Sequence, residues 1–402
     1  MTSPTQAPWF MASVVEDFTP LAHTRLRDQD VYILCDPAAV VKVFIEQGRH
    51  TTKGADVKGR GVAPTDPSSG EGEVHMRHRR LAQPAFNADR LRDYGRDIVL
   101  TAQAHAAEWR DGQQIDMQDS MGALCLANMA HCLFGLDLDS SSGGLDETLD
   151  AFVGSLGGRL LVPENATTVD ADNRTQRDML SLLLASQAPG FGYDGAEARD
   201  AAVRAVLTDP EPTAMNLAWT WFLLARNPAA ARWLHDELDI VLRDRDPDVD
   251  DLAALPRTRA VLTESMRLYP PAWVQGRRLV EDIEVDEWLL PSGNLVMASQ
   301  FALHRSPRWW AAAEDFVPQR WIDAAGAFGE DVPGQPRGAW FPFGTGSRRC
   351  IGERLALMES TLVLASLARS WSPAVEEESA VNPRGDLTLR ADGGIPMMLV
   401  RR

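Results

Sequence analysis

Apolar residues recur every three or four positions over long stretches of the chain, which predicts a mainly α-helical protein. After Cys350, for example, Leu355, Met358, Leu362 and Ala365 share one face of a predicted helix. Short strand-like runs such as "DVYILC" and "IEVDEWLL" are few. They predict small β-sheets, the first of them near the N-terminus.

Composition agrees with a globular protein that has a large core, because 45% of the 402 residues are hydrophobic and 24% are charged. The Pro/Gly-rich stretches 59–72, 141–144 and 326–338 are predicted to be loops, since none of them resembles a linker. No internal repeat is visible. We therefore expect one domain over residues 1–402.

The net charge of −17 argues against a nucleic-acid partner, because phosphate binding needs a basic surface. The N-terminal segment lacks the basic and apolar regions of a signal peptide. No run approaches the ~20 apolar residues of a membrane span. These features predict a cytoplasmic protein without a membrane partner.

The four cysteines have no spacing typical of disulfides or zinc sites. Cys35, Cys125 and Cys132 lie in apolar surroundings and are expected to pack as small hydrophobic residues. Cys350 is different, because it lies between two adjacent arginines and the start of a helix. Such surroundings stabilise a thiolate, which serves as a nucleophile or as a metal ligand.

The segment "FGTGSRRCIG", from Phe343 to Gly352, resembles the haem-binding loop of the cytochromes P-450, and Ala356 and Glu359 follow at the family's spacing. The resemblance implies the mainly α cytochrome P-450 fold, a triangular helical prism with small β-sheets. It also implies haem b as cofactor, with Cys350 as the axial ligand of the iron. Phe343, Gly344 and Gly352 would then shape the loop around the haem.

The resemblance extends from about residue 30 to the end, and it is weakest between about 135 and 200. "ESMR" places Glu264 and Arg267 three residues apart on one helix face, and "PQRW" supplies Arg320. In the family these three form a structural Glu–Arg–Arg cluster.

Five basic residues correspond to positions that hold the haem propionates in the family. Charged donors suit such carboxylates. They are His75, Arg79, Arg277, His304 and Arg348.

A departure from the family lies in "LTDPEPTAMN". In the family, protons are delivered through an acid–alcohol pair on the long I helix. Counting back from "FLLARNP" places the acid at Glu211 and the alcohol position at Pro212, with Asp209 in place of a glycine. Two prolines, Pro210 and Pro212, would kink this helix and leave backbone carbonyls for ordered water.

Three functions remain open at this stage. The first is a monooxygenase that uses O2, in which Glu211, Asp209, Thr213, water or a substrate hydroxyl replaces the missing alcohol. The second is an atypical haem-thiolate enzyme that catalyses oxidative cyclisation or coupling, desaturation, isomerisation or peroxide-driven oxidation. The third is a haem protein that binds small molecules without turnover.

The chain is too short for a fused flavin reductase, so we expect electrons from a separate ferredoxin and ferredoxin reductase. Arg348, Arg349 and Arg354 would form the basic docking face for an acidic donor. The substrate is expected to be small to medium, apolar and typical of bacterial secondary metabolism. By position, the pocket candidates are Val62, Ala63, Trp273, Val274 and Ile395.

Overall fold

The computed structural model describes residues 3–26, 28–53, 76, 79–80, 83–140, 144–160, 210–376 and 380–402. Helices dominate these residues, as the periodicity predicts. The helices are α1 (Ala7–Asp17), α2 (Pro37–Val40), α3 (Ala88–Ala107), α4 (Met117–Phe134), α5 (Gly144–Leu160), α6 (Pro210–Arg226), α7 (Pro228–Val241), α8 (Pro256–Leu268), α9 (Gln300–Leu303) and α10 (Glu353–Ala368).

Local sequence fixes the ends of α4. The Asp116 carboxylate accepts hydrogen bonds from the N–H groups of Gln118 and Asp119, so it satisfies donors that the first turn leaves free. The helix ends at Gly135, whose φ of 57° is left-handed and favours glycine. Asn87 caps α3 in the same way by accepting from the N–H of Arg90.

The largest sheet has five strands in the order β1–β2–β8–β5–β3, and only β2 and β8 are parallel. "DVYILC" contributes to β2 and "IEVDEWLL" forms the β6–β7 hairpin, as predicted. The strands are β1 (Leu21–Leu26), β2 (Gln29–Leu34), β3 (Thr51–Thr52), β4 (Gln114–Asp116), β5 (Gln275–Leu279), β6 (Ile283–Val285), β7 (Trp288–Leu290), β8 (Leu295–Ala298), β9 (Pro383–Gly385), β10 (Leu389–Ala391) and β11 (Pro396–Met398).

The two strands at the end of the C-terminal segment belong to two different sheets. β10 pairs with β9, whereas β11 pairs with β4, with Pro396 opposite Asp116. Gly393 and Gly394 lie between β10 and β11 with φ values of 80° and 85°. This left-handed turn directs β11 away from β10 and toward α4.

The largest hydrophobic core surrounds α6, which packs against α4, α8 and α10. Trp219 and Trp221 are buried in it, and the Trp219 ring stacks on Tyr269 with centroids 4.0 Å apart. Cys35, Cys125 and Cys132 are buried, as expected. Within the described residues, no helix combines the length and apolar character needed to cross a bilayer.

Candidate active site

The loop before α10 brings Cys350 to the wall of a cavity. The Cys350 N–H donates a hydrogen bond of 2.9 Å to the carbonyl of Phe343, which closes the loop. Gly344 and Gly346 have φ values of 72° and 69°, and a Cβ at Gly346 would lie 2.1 Å from the Phe44 carbonyl oxygen. These glycines are therefore required by backbone conformation and by close packing.

Two cavities meet at Cys350. The inner cavity has a volume of about 380 Å³ and extends toward α8, β5 and α9. The small cavity has a volume of about 110 Å³ and extends toward α3 and α4. Their shared wall consists of Pro212, Thr213, Phe343, Cys350 and Ala356. The thiol and the first turn of α6 thus border one continuous region.

The inner cavity has a cationic wall. Arg277 and Arg348 line it, together with Gly344 of the cysteine loop. Arg277 is buried, and its guanidinium lies 5.6 Å from the centre of the Phe44 ring. Lys53 also lines this cavity, although no sequence pattern singled it out.

Three amide side chains on the inner cavity have buried polar atoms without a hydrogen-bond partner in the described part of the chain. Gln300 is only 1% exposed, and both ends of its amide are unpartnered. Gln275 has an unpartnered nitrogen and Asn216 an unpartnered oxygen. Buried polar atoms are normally satisfied, so this wall is suited to a polar ligand group or ordered water.

Arg79 approaches the same loop from outside. Its Nη1 donates a hydrogen bond of 2.6 Å to the carbonyl of Arg349, so it supports the backbone beside Cys350. Gly352 lines the small cavity at the start of α10. His75, Val62, Ala63 and Asp209 lie outside the described residues.

The structure corrects the role predicted for His304. Its imidazole is completely buried among Trp340, Phe341 and Trp310 and does not line either cavity. Its Nε2 accepts a hydrogen bond from the Phe341 N–H. Burial, together with the positive charge of Arg267, lowers the pKa of His304 to about 3. A neutral imidazole in the core cannot clamp a carboxylate in the cavity.

Two predicted pocket residues are also wrong. The Trp273 side chain belongs to the core of the five-stranded sheet, and its Nε1 donates to the Asp386 carbonyl at 2.9 Å. Ile395 is completely buried in the main core. Val274, by contrast, lines the inner cavity. Family position identified the segments, but it did not determine which way each side chain points.

Side chains in the first turn of α6 line different cavities. Pro212 and Thr213 line the cavities at Cys350, whereas Glu211 lines a different, outer cavity of about 560 Å³. Pro210 lines both the small and the outer cavity. The kink expected upstream of these residues lies outside the described part of the chain.

Glu211 is tied to the C-terminal segment. Its Oε1 accepts hydrogen bonds from the Thr388 hydroxyl and from Nε of Arg390, and the side chains of Glu211 and Arg390 are 22% and 42% exposed. Asp116 and Asp119 lie on the wall of the same outer cavity. The acid is therefore in contact with solvent and is one residue away from the cavities at Cys350.

The Glu–Arg–Arg cluster is present in the expected form. Glu264 accepts from Arg267 Nε and Nη2 at 2.9 and 2.8 Å, and from Arg320 Nε at 3.1 Å. The N–H groups of Val317 and Trp321 Nε1 also donate to it. Arg267 further donates to backbone carbonyls, so the cluster joins α8 to the chain that precedes the cysteine loop.

A second buried acid, Glu359, lies on the wall of the small cavity. Asn128 Nδ2 donates to its Oε1 at 3.0 Å, and the Cys125 thiol also donates to it. Burial raises the pKa of this carboxyl to about 7, although both hydrogen bonds lower it. In the described residues, no group of three or more His, Cys, Asp or Glu side chains is arranged to hold a metal ion.

Comparison with known proteins agrees with this geometry. The cytochrome P450 family model matches residues 159–392, which include α6, α8 and the cysteine loop. The chain is 32% identical to cyclooctat-9-en-7-ol 5-monooxygenase of Streptomyces melanosporofaciens, over 87% of this chain and 82% of the relative. It is 28% identical to pentalenene oxygenase of Streptomyces avermitilis, over 90% of this chain and 86% of the relative.

The cavity residues fit the family's cofactor. Haem has a flat apolar ring, carboxylate side chains and an iron that needs an axial ligand. The cavities offer apolar walls, the cations Lys53, Arg277 and Arg348, unpartnered buried amides and a thiol. The matched family model and the relatives' names establish a haem-dependent oxidoreductase of the monooxygenase type. The chain belongs to the cytochrome P450 family.

Proposed function

We propose that the chain is a haem-thiolate monooxygenase that oxidises a small to medium, largely apolar secondary metabolite with O2. The observation that carries this proposal is Cys350 on a cavity wall between Arg348 and the N-terminus of α10. The relatives' printed names describe oxidation of an alkene, pentalenene, and of an unsaturated alcohol, cyclooctat-9-en-7-ol. Compounds of that kind match the predicted substrate.

In this proposal Cys350 would be the residue that binds the haem iron. Adjacent cations and a helix N-terminus favour the thiolate form of a cysteine. Haem ligated by a thiolate supplies the chemistry that cleaves the O–O bond. Arg277, Arg348 and Lys53 line the inner cavity, and they are the residues that would hold the haem carboxylates.

Thr213 is the residue best placed to replace the missing alcohol at position 212. It is buried, belongs to the same turn as Pro212 and lines both cavities at Cys350. A threonine hydroxyl can both accept and donate a proton, which proline cannot. Thr213 would therefore hold the proton, or the water that carries it, next to the reacting centre.

Glu211 would connect this hydroxyl to solvent. Its carboxylate faces the outer cavity, and Arg390 and Thr388 fix its position. In this arrangement, Glu211 exchanges protons with solvent on one side of the helix turn, and Thr213 receives them on the other side. General acid–base groups of this kind contribute roughly 10²–10⁴-fold to a rate.

Electrons would come from a separate ferredoxin and its reductase. Arg354 and Arg349 are exposed beside the cysteine loop, and Arg349 pairs with Glu353. Positive side chains on an otherwise acidic protein favour docking of an acidic donor near Cys350. We expect NAD(P)H oxidation to slow as salt is raised, because salt screens this attraction.

Pro212 supports a second function, an oxidation that does not need the usual proton relay, such as cyclisation, desaturation or a peroxide-driven reaction. Fatty-acid peroxygenases of this superfamily have an arginine before the proline to hold the substrate carboxylate. Here that residue is Glu211, and its charge pairs with Arg390 instead. The described residues therefore favour an uncharged substrate.

Two measurements test these proposals. The carbon-monoxide difference spectrum of the reduced protein should show the red-shifted Soret band of a thiolate ligand, and Cys350→Ser should abolish it. A band at the ordinary haem–histidine position would refute ligation by Cys350. Substrate oxidation should require NAD(P)H, ferredoxin and its reductase. Product formation with peroxide alone would favour the second function.

A further inference from the structure

Glu359 is a buried acid that the proposed reaction does not use. It lies on α10, two turns into the helix that follows Cys350, and its side chain reaches the wall of the small cavity. The residue is only 7% exposed. A carboxyl in such a place is costly to ionise, so either its partners compensate for the charge or the group stays neutral.

The hydrogen bonds around Glu359 suit the neutral form. Asn128 donates through Nδ2 to Glu359 Oε1, but the buried Oδ1 of the same amide has no donor among the described residues. A carboxylate only accepts hydrogen bonds, whereas a carboxylic acid has one O–H to donate. Protonated Glu359 can therefore supply the donor that the Asn128 amide lacks.

Among the described residues, no cation contributes to the pKa of Glu359. Its determinants are burial, which raises the pKa to about 7, and hydrogen bonds from Asn128 and Cys125, which lower it. Cys132 lies on the wall of the same cavity, and the charges of Glu359 and Asp97 raise the pKa of its thiol. The thiols of Cys125 and Cys132 have pKa values raised far above the usual range, so they remain neutral.

We propose that Glu359 is protonated at mildly acidic pH and that its ionisation at higher pH lowers the reduction potential of the haem iron. A carboxylate held in low dielectric beside the centre disfavours an added electron. When the donor protein delivers an electron to the iron, an ionised Glu359 takes up at most one proton from solvent. No covalent bond other than this O–H forms. Glu359 acts through its charge and is not a catalytic residue.

This inference needs only the haem and does not depend on the proton route through Thr213. A unit charge roughly 10 Å away, at an effective dielectric constant of about 20, changes an equilibrium constant by roughly tenfold. For a one-electron couple, tenfold corresponds to about 59 mV. That shift is the expected difference between the protonated and the ionised form.

The test is a spectroscopic redox titration of the haem-loaded protein from about pH 5.5 to about pH 8.5, on both sides of the usual range for a carboxyl raised by burial. Over this pH range, the reduction potential of the wild type should fall by about 59 mV more than that of Glu359→Gln.

Glu237→Gln is the control. Glu237 is another buried acid with a raised pKa, but it binds Arg257 and Thr258 and does not line either cavity. This control should keep the wild-type slope, and equal slopes for Glu359→Gln and wild type would overturn the proposal.

Cys125→Ala provides a test that retains the acid, in case Glu359→Gln fails to bind haem. Removal of the thiol removes a hydrogen bond that lowers the pKa of Glu359. The midpoint of the potential–pH curve should therefore move to higher pH. An unchanged midpoint would contradict the proposal. At about pH 5.5, infrared difference spectra of the wild type should also show a protonated carboxyl. This signal should be absent from Glu359→Gln.

Discussion

Glu264 and Glu211 both pair with arginine, and their surroundings are opposite. Glu264 is completely buried, and both of its oxygens accept hydrogen bonds from two arginines, a tryptophan and a backbone N–H. Glu211 is 22% exposed and uses one oxygen, which binds Arg390 and Thr388. The first acid has no capacity left for a substrate or a proton. Among the described residues, the second acid accepts hydrogen bonds through only one oxygen, at the edge of a cavity.

This difference distinguishes a structural acid from one suited to proton transfer. Breaking a buried ion pair leaves an uncompensated charge and costs several kcal/mol, whereas a partly exposed pair contributes about 0–1 kcal/mol. The same change, glutamate to glutamine, should therefore have different consequences at the two positions. At Glu264 it should affect folding, and at Glu211 it should affect turnover.

The largest expected effect is that of Glu264→Gln. Loss of the carboxylate leaves Arg267 buried without its counter-charge, so the free energy of unfolding should fall by about 3–5 kcal/mol. Urea unfolding and haem content measure this loss. Glu314→Gln is the matched control, because Glu314 pairs with Arg305 but is 62% exposed. Equal stability of the two variants would contradict a structural role for the cluster.

Glu211→Gln should leave folding intact and slow turnover. We expect its unfolding free energy to stay within about 1 kcal/mol of the wild type. The rate of product formation should fall roughly 10²-fold, because glutamine cannot exchange a proton. Steady-state kinetics together with urea unfolding separate the two effects. If Glu211→Gln unfolded as readily as Glu264→Gln, Glu211 would be a structural acid like Glu264.

Acid pH should destabilise the region around the Glu264 cluster. His304 packs there, and its pKa is lowered to about 3 from the usual value of 6.5. Between these values the unfolded chain binds more protons than the folded one, so stability falls as pH decreases. The loss from His304 should reach about 2 kcal/mol near pH 5. His304→Gln should reduce the fall measured by urea unfolding, and an unchanged fall would exclude His304 as its cause.

Glu359 acts in the opposite direction. Its pKa in the folded protein, about 7, is higher than the usual value of 4.5 for a glutamate. The folded protein therefore binds the extra proton between these values, and this contribution to stability is lost as pH rises through about 7. Glu359→Gln should remove that loss at alkaline pH.

The smallest expected effect is that of Arg390→Leu. Removal of this arginine releases Glu211 from the C-terminal segment but keeps the acid, so turnover should fall only several-fold, less than in Glu211→Gln. Arg384→Leu is the control, because Arg384 lies on the neighbouring strand β9 and pairs with Asp386 and Asp392. Equal kinetics of the two variants would show that the pair with Glu211 has no role in the reaction.

Much of the site could be predicted because its signals are local in sequence. The cysteine loop and the Glu264–Arg267 pair each lie within a few residues, so spacing alone defines their geometry. Arg390 is 179 residues from Glu211, and Glu359 is 231 residues from Asn128. Such contacts depend on how helices and strands pack, and a single sequence does not contain that information.

The incorrect predictions have the same physical origin. His304, Trp273 and Ile395 belong to segments that approach the site, but their side chains point into the cores. A turn or strand presents neighbouring residues to opposite sides, as Trp273 and Val274 do. A prediction that is wrong by one residue therefore names a core residue in place of a residue that lines the cavity.

In the proposed mechanism, Thr213 supplies the hydroxyl that Pro212 cannot. The most direct test is the amount of product formed per NAD(P)H oxidised by wild type, Thr213→Val and Thr213→Ser. Valine keeps the shape but has no hydroxyl, so product per NAD(P)H should fall at least about tenfold, and serine should retain most of it. If Thr213→Val matched the wild type in product per NAD(P)H, the claim would be contradicted.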